Sequence, residues 1–152
     1  MHDCIVIGVG GFGGGVLDCL ARRGATVLGI EQFDVAHDRG SSHGQTRIIR
    51  KAYFEHPDYV PLCVRAYELW ADLQADAGRP LYRLCGLMLA GPERGEAIAG
   101  AKLAADRHGL SMESLSAADA ANRFPGFRIP ADVSVVFKML SSFAPVVTAL
   151  QL

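Results

Sequence analysis

The sequence predicts an α/β fold, and three observations near its N-terminus carry that prediction. A short apolar run, residues 4–7, leads directly into a glycine-rich loop, residues 8–13, and is typical of a strand buried on both faces of a parallel sheet. An amphipathic helix is predicted over residues 12–23. A second apolar run, residues 25–30, then ends at Glu31. This order of strand, loop, helix and strand is typical of a Rossmann-like βαβ unit that binds a dinucleotide.

Each glycine of the loop has a physical role in holding a pyrophosphate. Gly8 permits the tight turn, Gly10 lets the backbone approach the phosphates, and Gly13 lets helix and strand pack closely. Glu31 follows Gly13 by 18 residues, where a carboxylate accepts hydrogen bonds from the adenosine ribose and repels a 2′-phosphate. A purely structural glycine turn is the alternative. The predicted cofactor contacts in this unit are Gly8, Gly10, Gly11, Phe12, Gly13 and Glu31.

The chain that follows does not continue as a second parallel αβ series. Residues 33–51 form a polar segment without periodicity, and a long helix is predicted over Tyr59–Ala77. Because the glycine loop alone does not separate FAD from NAD, this change of pattern is what favours FAD. Further along, the sequence predicts a strand over residues 81–89 and helices over 93–107 and Ala117–Arg123.

The polar segment contains a dense group of side chains capable of chemistry at residues 40–50. Arg47 and Arg50 are three residues apart, so a helical turn would place both on one face, where they could bind a carboxylate or a phosphate. His43 could donate a hydrogen bond or carry a proton near neutral pH. The alternative is that the arginines are solvated and His43 caps a turn.

The βαβ unit and the run Gly-Ser-Ser-His-Gly-Gln-Thr-Arg-Ile-Ile-Arg at residues 40–50 together resemble the N-terminal part of monomeric sarcosine oxidase and its relatives, the N-methyl amino acid oxidases. Those are flavoenzymes related to D-amino-acid oxidase. The resemblance extends from about residue 3 to residue 137. It includes residues 52–53, 59–62 and 68–70, Gly86 and residues 124–126.

The resemblance implies FAD as cofactor and assigns roles within the polar segment. His43, Thr46 and Arg47 would lie beside the flavin ring as catalytic residues, and Arg50 would pair with the substrate carboxylate, with Tyr53 near the same pocket. Ser41 and Ser42 would contact the cofactor together with Thr46 and Arg47. The implied reaction oxidises the N-methyl C–N bond of an amino acid such as sarcosine, with oxygen as acceptor, and gives peroxide and formaldehyde.

Three parts of the chain are expected on this basis. Residues 1–80 would form the FAD-binding part and residues 81–137 the beginning of a substrate-binding α+β domain. The resemblance stops near residue 137, and the tail, residues 138–152, has no acidic residue and no clear period, which indicates a truncated or frame-shifted product. A catalytically inert FAD-binding module, or an incomplete fragment of such an enzyme, is the alternative function.

Composition excludes several other classes of protein. A net charge of −1 gives no field to attract nucleic acid or an anionic membrane. No window approaches the roughly 20 apolar residues of a membrane span, and there is no secretory signal pattern, so a cytoplasmic protein is expected. The four cysteines show no zinc-ligand spacing and are expected to be free thiols, so no metal site is predicted.

The remaining candidate side chains receive structural interpretations. Tyr67 and Trp70 fall among leucines on the predicted helix and are expected to belong to the core rather than to contact a cofactor. His37, His56 and His108 are isolated in polar or turn segments and are expected at the surface.

Overall fold

The structure is a computed structural model that describes residues 1–34, 37–41, 47–138 and the backbone of 142–144. It divides into two compact units, one built on Met1–Arg47 and the other on Ile48–Phe143. The domain boundaries expected after residues 80 and 137 stay predictions. In chain order the elements are β1 (Cys4–Ile7), α1 (Gly11–Arg22), β2 (Val27–Ile30), β3 (Arg47–Ile49), α2 (Tyr59–Ala77), β4 (Arg83–Leu84), β5 (Leu87–Gly91), α3 (Glu96–His108), β6 (Glu113–Leu115), α4 (Ala117–Arg123), β7 (Ser134–Lys138) and β8 (Ser142–Ala144).

The first unit contains the predicted βαβ arrangement. Strands β1 and β2 pair in parallel along their whole length, from Cys4 beside Val27 to Ile7 beside Ile30. Beyond β1 the ladder gains one more bond, because the Gly8 N–H donates to the Ile30 carbonyl at 2.8 Å. The glycine loop therefore leaves the sheet at the carboxyl ends of both strands. This parallel pair and its connecting helix confirm the α/β fold class.

One face of this strand pair has large exposed side chains, and none of the described helices of this unit covers it. Helix α1 lies on the other face, where a Cβ placed at Gly29 would stand 2.6 Å from Leu17. The prediction that the first strand is buried on both faces is therefore wrong, since alternate side chains of β1 point away from the only helix that connects the pair. The exposed fractions on the uncovered face are 55% for Ile5, 85% for Ile7, 37% for Leu28 and 48% for Ile30.

The second unit holds the more complete core. Its three-stranded antiparallel sheet has the order β5-β7-β6, and helix α3 packs against it. A further small sheet has the order β3-β8-β4, in which β4 and β8 are antiparallel. Among the described residues, the large side chains with less than 2% exposure belong to this unit: Leu81, Ile98, Val60, Val135 and Val136.

Two helices form over the predicted residues. Helix α2 spans Tyr59–Ala77 and ends at Gly78, whose φ of +61° places it in the left-handed region that favours glycine. Helix α4 spans Ala117–Arg123 and begins at Ser116, whose hydroxyl accepts the Asp119 N–H at 3.1 Å. None of the helices in the described part of the chain is long and apolar enough to cross a membrane.

Other elements differ from prediction for local reasons. The strand predicted over residues 81–89 is divided into β4 and β5, because Gly86 adopts a φ of +79° between them. The helix predicted over residues 93–107 begins only at Glu96, after a turn in which Gly95 N–H donates to the Pro92 carbonyl at 2.8 Å. Strands β3, β6, β7 and β8 were not predicted.

Lys138, at the end of β7, is a buried charged residue. The residue is only 5% exposed, and its ammonium donates to the Ser111 carbonyl at 3.0 Å. Burial, with a smaller contribution from the charge of Lys51, lowers the pKa of Lys138 below its ordinary value of 10.5. Burial therefore makes the charged form of Lys138 more costly in the folded chain than in the unfolded chain.

Replacing Lys138 by methionine is expected to raise the free energy of unfolding at pH 7 by about 1–2 kcal/mol, because an apolar side chain of similar length removes that cost. The folded state binds the Lys138 proton less tightly than the unfolded state does. The parent chain should therefore gain stability as pH rises from the lowered pKa toward 10.5, and Lys138→Met should not show this gain. Urea unfolding at neutral and alkaline pH measures both effects. The control is Lys102→Met, which removes the ammonium 2.6 Å from Glu93 and should not stabilise. A Lys138→Met chain less stable than the parent at pH 7 would contradict this account.

Candidate cofactor site and arginine pocket

The glycine loop brings helix α1 very close to strand β1. Gly8 has a φ of +89°, a conformation that favours glycine. A Cβ added at Gly13 would stand 1.9 Å from the Gly8 carbonyl oxygen and 3.3 Å from Val6 Cγ1. No side chain can therefore be accommodated at Gly13 without moving the helix away from the strand.

The N-terminus of helix α1 is open and uncapped. Its N-cap residue, Gly10, is extended and provides no side-chain cap, and the first turn carries no acidic residue. A Cβ added at Gly10 would meet no heavy atom within 4 Å, so space is left in front of the helix. The first N–H groups of an α-helix lack partners within the helix, and its dipole favours a negative charge there. The loop and helix thus fit a pyrophosphate group.

Glu31 lies beside this loop as an ionised acceptor. Its Oε2 accepts the Val9 N–H at 2.8 Å and its Oε1 accepts the Gln32 N–H at 2.7 Å. These backbone hydrogen bonds, that from Val9 first, lower the pKa of Glu31 below its ordinary value. The carboxylate is consequently fixed and charged at the carboxyl end of β2, where the spacing from Gly13 predicts the ribose acceptor.

His37 is not the surface residue that the sequence predicts. Its side chain is only 15% exposed, and its Nε2 lies 3.6 Å from Oε2 of Glu31. The Nδ1 atom accepts the Arg39 N–H at 3.0 Å, and the ring packs edge-on against Phe33 with centroids 4.9 Å apart. Nothing in the periodicity of the sequence indicates this contact, because it depends on the chain folding back after β2.

Only part of the polar segment is described. Ser42, His43 and Thr46 lie outside the described residues, so their assigned roles stay predictions. An N–H of the Arg47 guanidinium donates to the Ser41 carbonyl at 2.9 Å. Because Arg47 begins strand β3, the helical turn that would have aligned it with Arg50 does not form.

Arg50 lines a pocket in the second unit. One guanidinium nitrogen donates to both oxygens of Glu55, at 2.8 and 3.1 Å. The guanidinium stacks over the rings of Tyr53 and Phe54, with its central carbon 4.5 and 4.8 Å from the ring centroids. The buried Nε of Arg50 has no hydrogen-bond partner among the described residues. The pocket has a volume of about 160 Å³ and is lined by Ile48, Ile49, Arg50, Tyr53, Cys63, Ala66 and Tyr67.

Two neighbours hold this pocket in place. The Tyr67 hydroxyl donates to the Ile49 carbonyl at 2.8 Å, so the residue that was expected in the core also anchors the segment before Arg50. Helix α3 approaches the backbone after Arg50 so closely that a Cβ at Gly100 would stand 2.0 Å from the Phe54 carbonyl oxygen. Neither Gly100 nor Glu55 was singled out by sequence reasoning.

Comparison with known proteins decides the family. Residues 3–140 match the protein family described as FAD dependent oxidoreductase. The chain belongs to this family. Its open helix N-terminus, the approach of α1 at Gly13 and the ionised Glu31 fit the pyrophosphate and ribose of such a cofactor.

Curated relatives of this FAD dependent oxidoreductase chain include amine oxidases. It is 44% identical over 124 residues to a monomeric sarcosine oxidase from Streptomyces avermitilis, covering 82% of this chain and 32% of the relative. It is 36% identical over 137 residues to a monomeric sarcosine oxidase from a Bacillus species, covering 90% and 35%. It is 34% identical over 142 residues to an N-methyl-L-tryptophan oxidase from Yersinia pestis, covering 93% and 38%. The chain thus spans about a third of the length of these relatives.

Solved structures show the same fold. NikD, described as an unusual amino acid oxidase essential for nikkomycin biosynthesis, superposes with a TM-score of 0.81 at 27% identity, covering 99% of this chain and 39% of NikD. An L-proline dehydrogenase from P. horikoshii superposes with a TM-score of 0.80 at 21% identity, covering 99% and 40%. The resemblance to the sarcosine and N-methyl amino acid oxidases is confirmed, while the assignment of individual site residues stays a prediction.

Proposed function

We propose that this chain binds FAD through residues 8–13 and Glu31, as the cofactor-binding part of an amine-oxidising flavoenzyme. The observation that supports this most directly is the uncapped N-terminus of α1 beside the ionised Glu31 carboxylate. The helix end attracts the pyrophosphate, and the carboxylate accepts hydrogen bonds from the ribose. Ser41, Ser42, Thr46 and Arg47 remain cofactor contacts in this proposal, on the strength of the family resemblance.

The proposed substrate is an N-methyl amino acid, with sarcosine as the simplest case and oxygen as the final acceptor. When bound, the flavin would supply the redox chemistry by accepting a hydride equivalent from the N-methyl carbon, which leaves an imine that water hydrolyses. Arg50 binds and orients the substrate carboxylate, and Tyr53 holds the guanidinium by stacking. The hydrogen bonds to Glu55 support this proposal because they are the bonds that a guanidinium makes to a carboxylate, and the buried Nε has a further N–H to donate. His43 and Arg47 would act beside the flavin, as the resemblance implies.

A catalytically inert FAD-binding module is the second candidate, because the chain spans about a third of its curated relatives. Titration of FAD with the purified chain, followed by anaerobic addition of sarcosine, separates the two. Flavin binding with bleaching of its visible absorbance supports the oxidase, whereas binding without bleaching supports the inert module. A chain that leaves FAD fluorescence and absorbance unchanged would contradict both.

Free thiols at Cys4, Cys19 and Cys63 support a reducing compartment, the cytoplasm, as the place of action.

Arg50→Met is expected to weaken sarcosine binding by about 100-fold while leaving FAD affinity unchanged, because the carboxylate loses its charged donor. The measurement is the dependence of the anaerobic change in the bound-flavin spectrum on sarcosine concentration, which requires no oxygen. The control is Arg65→Met, which removes a comparable ion pair, with Glu68 at 2.6 Å on the exposed side of α2. Equal sarcosine affinity in Arg50→Met and the parent would contradict the assigned role of Arg50.

A further inference from the structure

We propose that His37 is a cofactor-binding residue that donates a hydrogen bond from Nε2 to the ribose of the dinucleotide, next to the acceptor Glu31. The proposal rests on the proposed FAD binding and adds to it a donor that neither the glycine loop nor the acidic residue supplies. Both side chains are largely enclosed, with 15% exposure for His37 and 19% for Glu31. They lie at the carboxyl end of β2, directly beside the glycine loop, to which Glu31 is bonded through the Val9 N–H.

The surroundings of the imidazole fix which nitrogen carries the proton. The Arg39 N–H donates to Nδ1 at 3.0 Å, so Nδ1 acts as an acceptor. In a neutral imidazole the proton is then on Nε2, which becomes the donor. The edge-on contact with Phe33 holds the ring in this orientation, and Arg39 stacks on the same phenyl ring at 5.6 Å.

The donor atom of His37 lies near the Glu31 carboxylate without being hydrogen-bonded to it. The distance of 3.6 Å between Nε2 and Oε2 of Glu31 exceeds the roughly 3 Å of a hydrogen bond, so the carboxylate is near without taking up the proton. Glu31 in turn is held by the Val9 and Gln32 N–H groups and keeps lone pairs for further partners. A fixed donor and a fixed acceptor therefore stand side by side.

This pairing matches the chemistry of a ribose diol. Each ribose hydroxyl has one hydrogen to donate and lone pairs that accept, so one hydroxyl can donate to Glu31 while accepting from His37. A 2′-phosphate presents only acceptors and a negative charge, which Glu31 repels. The ligand class that fits is a dinucleotide with free adenosine ribose hydroxyls, as in FAD.

Two amide substitutions separate the donor from the rest of the imidazole. In His37→Asn the side-chain oxygen can still accept the Arg39 N–H, but no donor reaches the Nε2 position. In His37→Gln the longer side chain places an amide N–H there and gives up the acceptor. We expect His37→Asn to weaken FAD binding by about tenfold and His37→Gln to retain affinity within about threefold, measured by quenching of FAD fluorescence on the full chain.

The analogue pair ADP and 2′,3′-dideoxy-ADP tests the diol directly. His37→Asn should weaken ADP binding and leave the affinity for the dideoxy analogue unchanged. Urea unfolding of His37→Asn without ligand should match that of the parent, because the acceptor for the Arg39 N–H is kept. If the parent chain and His37→Asn bind FAD equally well, the role of His37 is overturned and the proposed FAD binding is not. Equal losses of FAD affinity in His37→Asn and His37→Gln would also overturn the role of His37 and indicate a merely structural role. So would an equal loss of affinity for ADP and for 2′,3′-dideoxy-ADP in His37→Asn. A parent chain that binds no FAD overturns this inference together with the proposed function.

Discussion

Gly13→Ala is expected to abolish measurable FAD binding and to lower the free energy of unfolding of the first unit by about 2–3 kcal/mol. The added Cβ would stand 1.9 Å from the Gly8 carbonyl oxygen, and both groups belong to the backbone, so no rotamer change can relieve the overlap. Helix α1 must move away from β1. Its N-terminal N–H groups then no longer converge with Glu31 on the same dinucleotide.

The adjacent residue provides the matched control for this substitution. A Cβ at Gly14 would meet no heavy atom within 4 Å, so Gly14→Ala should instead stabilise the helix by about 0.5–1 kcal/mol and leave FAD binding intact. FAD fluorescence quenching and urea unfolding measure both variants. A Gly13→Ala chain that binds FAD as tightly as Gly14→Ala would show that the close approach of α1 and β1 has no role in the site.

Gly100→Ala is expected to destabilise the second unit by about 1–3 kcal/mol, although the same change in an open helix is stabilising. The Cβ would stand 2.0 Å from the Phe54 carbonyl oxygen, so α3 and the segment that follows Arg50 must separate. That segment carries Tyr53 and Glu55, which hold the guanidinium. Sarcosine binding should therefore weaken, while FAD affinity stays close to that of the parent.

Leu103→Ala is the control on the same helix. Leu103 is 57% exposed, so its truncation should change stability little. Urea unfolding gives the stability, FAD quenching reports whether the first unit is intact, and the flavin spectrum reports sarcosine binding. A Gly100→Ala chain more stable than the parent, or one with full sarcosine affinity, would contradict the proposed contact between α3 and the Arg50 pocket.

The elements that the sequence predicts well are those whose signals are local. Helix α2 has an apolar face along its length and a glycine that ends it, and helix α4 has a serine cap, so both form over the predicted residues. Strand β7 was missed because its apolar centre stands between charged and small residues and gains its strand character from pairing with β5 and β6. Lys138 ends that strand as a buried charge, contrary to what its polarity suggests.

The residues of the candidate site also fall into those that the sequence predicts and those that it does not. The glycine loop and Glu31 were recognisable because their spacing along the chain reflects their geometry. His37 and Glu55 were not, because their importance lies in which atoms they approach, the Glu31 carboxylate and the Arg50 guanidinium, and this is decided by the path of irregular segments. Gly100 is likewise indistinguishable in sequence from any helical glycine until the Phe54 carbonyl is seen opposite it.

The exposed apolar face of β1 and β2 could contribute further to the stability of the first unit if it were buried. Fully burying one large aliphatic side chain contributes about 1.5–3 kcal/mol, and Ile5, Ile7, Leu28 and Ile30 present four such side chains in two adjacent rows. Any element that covers this face would add several kcal/mol to the stability of the unit that carries the glycine loop, and so would favour the folded state of that loop without contacting it.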